Sequence, residues 1–168
     1  MLWIQKNVKH EQMLIQFSDL TAAVLHFADW HVMVVSVYIE PEDAEELKEN
    51  LELLDSVIKK TREKVEEQMK VVLTGDFNWH DKLWEGNDIE ARQGKADWLI
   101  KFMNQHSLQS LLQRDIKTWH NSSVKSMIDL VLVSEELASN VIKCMLHNTN
   151  YDSDHEAIKT TFNVAVPE

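Results

Sequence analysis

Apolar positions along this chain follow two periods, alternating early and giving way to strands alone late. Residues 20–27 and 32–38 are apolar and rich in β-branched side chains, which predicts two strands. Ala28-Asp29-Trp30-His31 joins them as a hairpin-like turn. Pro41 stops the second strand. From residue 42 to about 67, Leu47, Leu51, Leu54, Val57, Ile58 and Val65 recur at three- and four-residue spacing, predicting one long helix with a single buried face. Its acidic start and basic later part suit the helix dipole. A short strand is expected at residues 3–5 and another at 71–74. A second helix over 91–106 would bury Trp98, Leu99, Phe102 and Met103. Strands follow near 117–119, 127–133, 141–146 and 157–166. This order predicts an α/β fold, a two-sheet sandwich with a mixed sheet.

At 168 residues, 44% of them hydrophobic, the chain is long enough for one domain with a substantial core. Seventeen basic against 28 acidic residues give a net charge of −11. That balance argues against tight non-specific duplex binding, which depends on cationic contacts to phosphate, and suits a site whose carboxylates hold a cation. A single cysteine, Cys144, excludes an internal disulfide and favours a reducing compartment. Residues 1–12 lack an apolar signal core and no run reaches membrane-spanning length, so an intracellular protein, nuclear or cytoplasmic and away from membranes, is expected.

Three polar clusters stand beside apolar strands, as in a sheet-built phosphoryl-transfer site. Val71-Val72-Leu73-Thr74-Gly75-Asp76-Phe77-Asn78 runs from a strand through a glycine to an acid and an amide two residues apart. Such side chains share a face while the chain stays extended. The acid can orient or deprotonate water and the amide can donate to a phosphate oxygen. A plain Asx turn explains the same residues. Ser126-Met127-Ile128-Asp129 places a lone acid among apolar neighbours, which calls for a partner or a capping role. Ser153-Asp154-His155 supplies an imidazole able to act as base, acid or cationic phosphate ligand, unless the segment is only a solvated loop.

Together these residues resemble the endonuclease/exonuclease/phosphatase superfamily, in which a Gly-Asp-Phe-Asn turn follows a hydrophobic strand. The run Asn78-Trp79-His80-Asp81-Lys82-Leu83-Trp84 is similar to the endonuclease domains of fungal non-LTR retrotransposons, as are Arg92-Gln93-Gly94, residues 128–138 and residues 164–168. The resemblance runs from about Asp19 to the C-terminus. It implies that Asp129 holds His155 from behind, that Asp154 and Asp76 reach a Mg²⁺ ion (or Mn²⁺ in its place), and that Tyr38 donates to the scissile phosphate. It also matches Trp119 to an aromatic position before the Ser/Asp strand, and gives Ser126 and His80 substrate contacts. Tyr38 reads equally as a half-buried strand tyrosine, Trp119 as core and His80 as loop packing.

One part of the family pattern has no counterpart. The superfamily site is completed by an Asn on its first strand and a Glu metal ligand on its second, yet 37 residues precede Tyr38 and none of their acids matches. The chain is therefore expected to be a single domain over residues 1–168 without the first two strands and their helix, with an exposed edge open to self-association. The resemblance implies a metal-dependent phosphodiester hydrolase, a DNA endonuclease of retrotransposon origin. The alternatives are an inactive truncated remnant and a phosphatase of the same superfamily.

Overall fold

The computed structural model describes residues 1–28, 30–65, 69–87, 89, 95–149 and 152–164. Strand β1 (His10–Met13) pairs antiparallel with β2 (Leu20–His26), which pairs with β3 (His31–Tyr38). Helix α1 (Ala44–Lys64) then crosses over, so that β4 (Met69–Asp76) lies parallel to β3. After the short α2 (Lys82–Glu85), α3 (Asp97–Gln105) leads into β5 (Leu108–Ser110). Strands β6 (Trp119–His120) and β7 (Lys125–Ser126) form a small ribbon. Strand β8 (Asp129–Ser134) inserts between β4 and β5, completing a six-stranded sheet in the order β1-β2-β3-β4-β8-β5. Helix α4 (Glu135–Ala138) precedes the second sheet, β9 (Val141–Leu146) with β10 (Ile158–Phe162).

The two faces of the large sheet follow the strand period of two. Met33, Val35 and Val37 on β3, Val71 and Leu73 on β4, and Leu130 and Leu132 on β8 face α1 and α3. Val32, Val72, Val131 and Val133 point to the other face, where Cys144, Ile158 and Phe162 of the second sheet cover them. Helix α1 presents Leu47, Leu51, Leu54 and Ile58 to the first face, and Asp43 caps it through its carboxylate to the Glu46 N–H, 2.9 Å. The expected α/β two-sheet sandwich is the observed fold.

Several boundaries differ from expectation. The strand anticipated at residues 3–5 does not form, and Trp3 is exposed; the first strand is β1. Of its four side chains only Met13 packs against the core, and its pairing is through backbone, so no apolar run announces it. This edge carries His10 and Glu11, the latter tied to Lys64 at 2.7 Å, charges that blunt strand addition. β4 runs from Met69 and not from residue 71. β5, β7, α2 and α4 were too short to give a periodic signal. The expected helix start at 91–94, the hairpin position 29, the end of the long helix at 66–67 and the termini of residues 165–168 lie outside the described residues. Among the described residues no helix is long and apolar enough to cross a membrane.

Candidate active site

Sheet register builds the site. Tyr38 is the Cα partner of Asp76 across the parallel β3–β4 pair, and Asp76 is the partner of Asp129 across β4–β8. Three neighbouring strands therefore end in one row of functional side chains. The ladder continues past Asp76 through Ile39 N–H to the Asp76 carbonyl, 3.0 Å, and Phe77 N–H to the Ile128 carbonyl, 2.9 Å. Gly75 allows the close strand approach: at φ +146°, a Cβ there would lie 1.9 Å from the Val37 carbonyl oxygen.

Asn78 turns the chain with φ +51°, a conformation asparagine tolerates. Its backbone N–H donates to Asp76 Oδ1, and its Nδ2 donates to Asp76 Oδ2 and to the Ile39 carbonyl, each at 3.0 Å. Both amide hydrogens are thereby engaged, so Asn78 fixes the Asp76 carboxylate; the phosphate-donor role expected of it would require breaking one of these bonds. Burial raises Asp76, and the facing Asp129 carboxylate raises it further; with the Asn78 bonds and His155 opposing, it stands at about 6.

His155 lies against this pair. Its Nδ1 donates to Asp129, 2.9 Å to Oδ2 and 3.1 Å to Oδ1, leaving Nε2 3.9 Å from Asp76 Oδ2. Burial alone would lower the imidazole, but the Asp129 bond and the surrounding carboxylates outweigh it and hold His155 above its ordinary value. Asp129 is itself raised by burial, against the hydrogen bonds from His155 and Thr118. The fully buried Thr118 hydroxyl accepts the N–H groups of Ile128 and Asp129, 3.2 and 3.0 Å, pinning the strand end. His155 is delivered by a backbone bridge to Trp119, flanked by His120 N–H to the Asp154 carbonyl and Glu156 N–H to the Thr118 carbonyl.

Asp76, Asp129 and His155 bring one ligand atom each within 4.8 Å of one another, a group that fits a divalent ion. Two facing carboxylates offer hard oxygen donors, and their mutual repulsion is what a cation would relieve. Asp154, expected as a metal ligand, stands outside this group. It is exposed, and its Oδ2 accepts Trp119 Nε1–H at 3.1 Å. The extended backbone at His155 turns adjacent side chains to opposite sides. Trp119 thus acts through Asp154 and the bridge to His155.

A cleft of about 590 Å³ opens over these groups, lined by Tyr38, Asp76, Asn78, His80, Ser126 and His155 among others. Tyr38 is 42% exposed and its hydroxyl donates to Glu40 at 3.1 Å, a bond that a phosphate oxygen would have to replace. Ser126 is buried at the cleft floor. His80 also lines the cleft, with Nδ1 bonded to Glu85, a residue whose sequence setting did not mark it. Glu85 is 2% exposed and also accepts the Met127 N–H at 3.3 Å. Burial would raise it, but His80, Met127 and Lys117 outweigh that and hold it below the carboxylate range. An acid directly after the apolar pair Leu83-Trp84 and before the Gly86 turn was the available signal. Glu85→Ala is expected to lower stability by about 3 kcal/mol, because it leaves the buried Met127 N–H without its acceptor and removes the buried carboxylate that holds His80 Nδ1; urea unfolding against Leu83→Ala as the exposed control checks this.

A second expectation follows from the raised Asp76. A carboxyl whose folded value, about 6, exceeds the ordinary 3.8 contributes stability that is full below 3.8 and lost as pH rises through about 6. In EDTA, Asp76→Asn should therefore gain on the order of 2 kcal/mol over wild type at pH 7 and nothing at pH 3.5. Urea midpoints at the two pH values measure it, and an equal gain at both would remove the electrostatic account.

A family model described as "Endonuclease-reverse transcriptase" matches residues 32–159. No curated protein matches the chain significantly by sequence. Among solved structures, the endonuclease domain of TRAS1, a telomere-specific non-LTR retrotransposon, superposes with TM-score 0.79 at 17% identity, over 95% of this chain and 71% of that one. The 3′ phosphatase NExo from Neisseria, bound to a product DNA hairpin, superposes with TM-score 0.64, also at 17% identity and with the same coverage. At these identities the likeness is one of fold.

Proposed function

Because this chain belongs to the endonuclease–reverse transcriptase family of the endonuclease/exonuclease/phosphatase superfamily, we propose that it hydrolyses phosphodiester bonds in DNA with a divalent metal, Mg²⁺ by the hardness of its donors. The observation that carries the reading is the convergence of Asp76 with the Asp129–His155 pair at the ends of adjacent strands. Asp76, fixed by Asn78, orients the attacking water and accepts its proton. His155, with Nδ1 committed to Asp129, presents Nε2 to the phosphate and, when protonated, donates a hydrogen bond to the charge developing on oxygen. Tyr38 and Ser126 flank the phosphate, and His80 touches the substrate strand. Asp76 would hold the metal, with Asp129 at its side and water or phosphate oxygens completing the shell. When bound, the ion supplies Lewis acidity at the phosphate.

The described residues lining the cleft include no lysine or arginine, which disfavours a phosphomonoester with its extra charge and favours a singly charged diester. Incubation of supercoiled plasmid with purified protein and Mg²⁺ tests the proposal. Nicking that EDTA stops and Asp76→Asn removes supports it. Absence of nicking by folded protein leaves the inactive reading, and release of phosphate from a 3′-phosphorylated oligonucleotide without nicking selects the phosphatase.

A further inference from the structure

At the other end of β3 from the cleft, the β2–β3 hairpin sets His26 and His31 directly opposite each other. Their Nδ1 atoms are 2.9 Å apart, and the rings meet edge to face, 4.7 Å between centroids at 80°. Between neutral imidazoles, this contact needs one Nδ1–H pointing at the other Nδ1 lone pair. Moving that proton to Nε2 of the same ring leaves an Nδ1 lone pair on each ring, 2.9 Å apart, with no net loss of a proton. Two imidazole nitrogens at metal–nitrogen distances of about 2.0–2.1 Å and this separation subtend about 90° at the ion, whereas a tetrahedral ion would hold them about 3.3 Å apart. A right angle is the cis edge of a square-planar or tetragonal centre, the geometry of Cu²⁺ and Ni²⁺ and not of Zn²⁺.

We propose that His26 and His31 form a two-histidine site for Cu²⁺ or Ni²⁺ that clips the β2–β3 hairpin. Burial, followed by the neighbouring His31 ring, holds His26 below its ordinary value and so in the neutral, ligating form. Lys9 and Lys64 add positive charge near His26, which Glu11 on the adjacent β1 strand, paired with Lys64 at 2.7 Å, partly offsets. At about 3.3 Å per residue the site is roughly 23 Å from Tyr38, and it shares no residue with the hydrolytic cleft.

EPR and calorimetric titration with Cu²⁺ test the site. Wild type and His155→Ala alike are expected to give a tetragonal signal with two imidazole nitrogens, at one equivalent. His26→Gln and His31→Gln should each weaken that binding by at least tenfold, since removing even an outer partner of a ligand costs about 10–100-fold. At a hundredfold excess over Kd, Cu²⁺ should raise Tm by about 5–10 °C in wild type and leave His26→Gln unmoved. A two-nitrogen signal that persists in His26→Gln, or one lost in His155→Ala alone, overturns the proposal.

Discussion

Gly75→Ala is expected to yield protein without a native fold, seen as loss of near-ultraviolet circular dichroism and of dispersed NMR amide signals. The added Cβ would sit 1.9 Å from the Val37 carbonyl oxygen, a backbone atom inside a parallel pair, with no flexible side chain to give way. The residue would also need φ +146°, which L side chains rarely adopt. Strain and overpacking together exceed about 4 kcal/mol, a large fraction of the roughly 5–15 kcal/mol that holds a domain together. Gly86→Ala is the informative contrast. There, at φ +103°, the Cβ meets Asp115 Oδ1 at 2.9 Å, the end of a 65% exposed side chain held by an ion pair to Lys117 that can give way. A folded but weakened protein is expected, and comparable loss from both substitutions would contradict the assignment of the damage to the β3–β4 contact.

Asp129→Asn is expected to lower plasmid nicking by roughly 10²–10⁴-fold, the range for a carboxylate that fixes and charges a catalytic imidazole. The amide keeps one oxygen to accept the His155 Nδ1–H, but the second acceptor oxygen and the charge that raises the ring are gone. The pH profile separates this from a structural defect. Wild-type activity should rise as Asp76 ionises through about 6 and fall at higher pH as His155 loses its proton. With Asp129 neutral, the falling limb should move to lower pH, because the burial that depresses the imidazole is then opposed only by the weaker Asp76 and Asp154 charges. The rising limb should move down as well, since the facing carboxylate that raises Asp76 is gone. A profile lowered in height but unmoved in shape would refute the electrostatic role.

The parts of this protein visible in sequence are those with a local physical signature. The large sheet was legible because Met33, Val35 and Val37 alternate with Val32 and Val34, and α1 because Leu47, Leu51, Leu54 and Ile58 share one helical face. Asp76, Asp129 and His155 each stood out as a polar group beside an apolar strand. Their convergence depended on register between distant strands, which no local pattern encodes; it entered through family resemblance, and the structure brings the three together. The setting of Asp154 was not legible either, since its bond from Trp119 accompanies a backbone bridge between distant segments. Glu85 and Thr118 were passed over because they act on other residues, His80 and Asp129, and not on the cleft itself. β1 was illegible because an edge strand held by backbone bonds carries no hydrophobic pattern.

The pairing of Asp76 with Asp129 makes this active centre a late event in the life of each chain. Its carboxylates lie on separate segments of sequence, and the imidazole that joins them is a further 26 residues along. No single hairpin or helix contains two of the three, so partial structures formed early in synthesis do not hold the assembled site. Contacts of such long sequence separation close slowly and open together. Heating should therefore extinguish nicking at the temperature where the whole sheet melts, and a ribosome-bound fragment ending before the imidazole should leave nearby nucleic acid uncut.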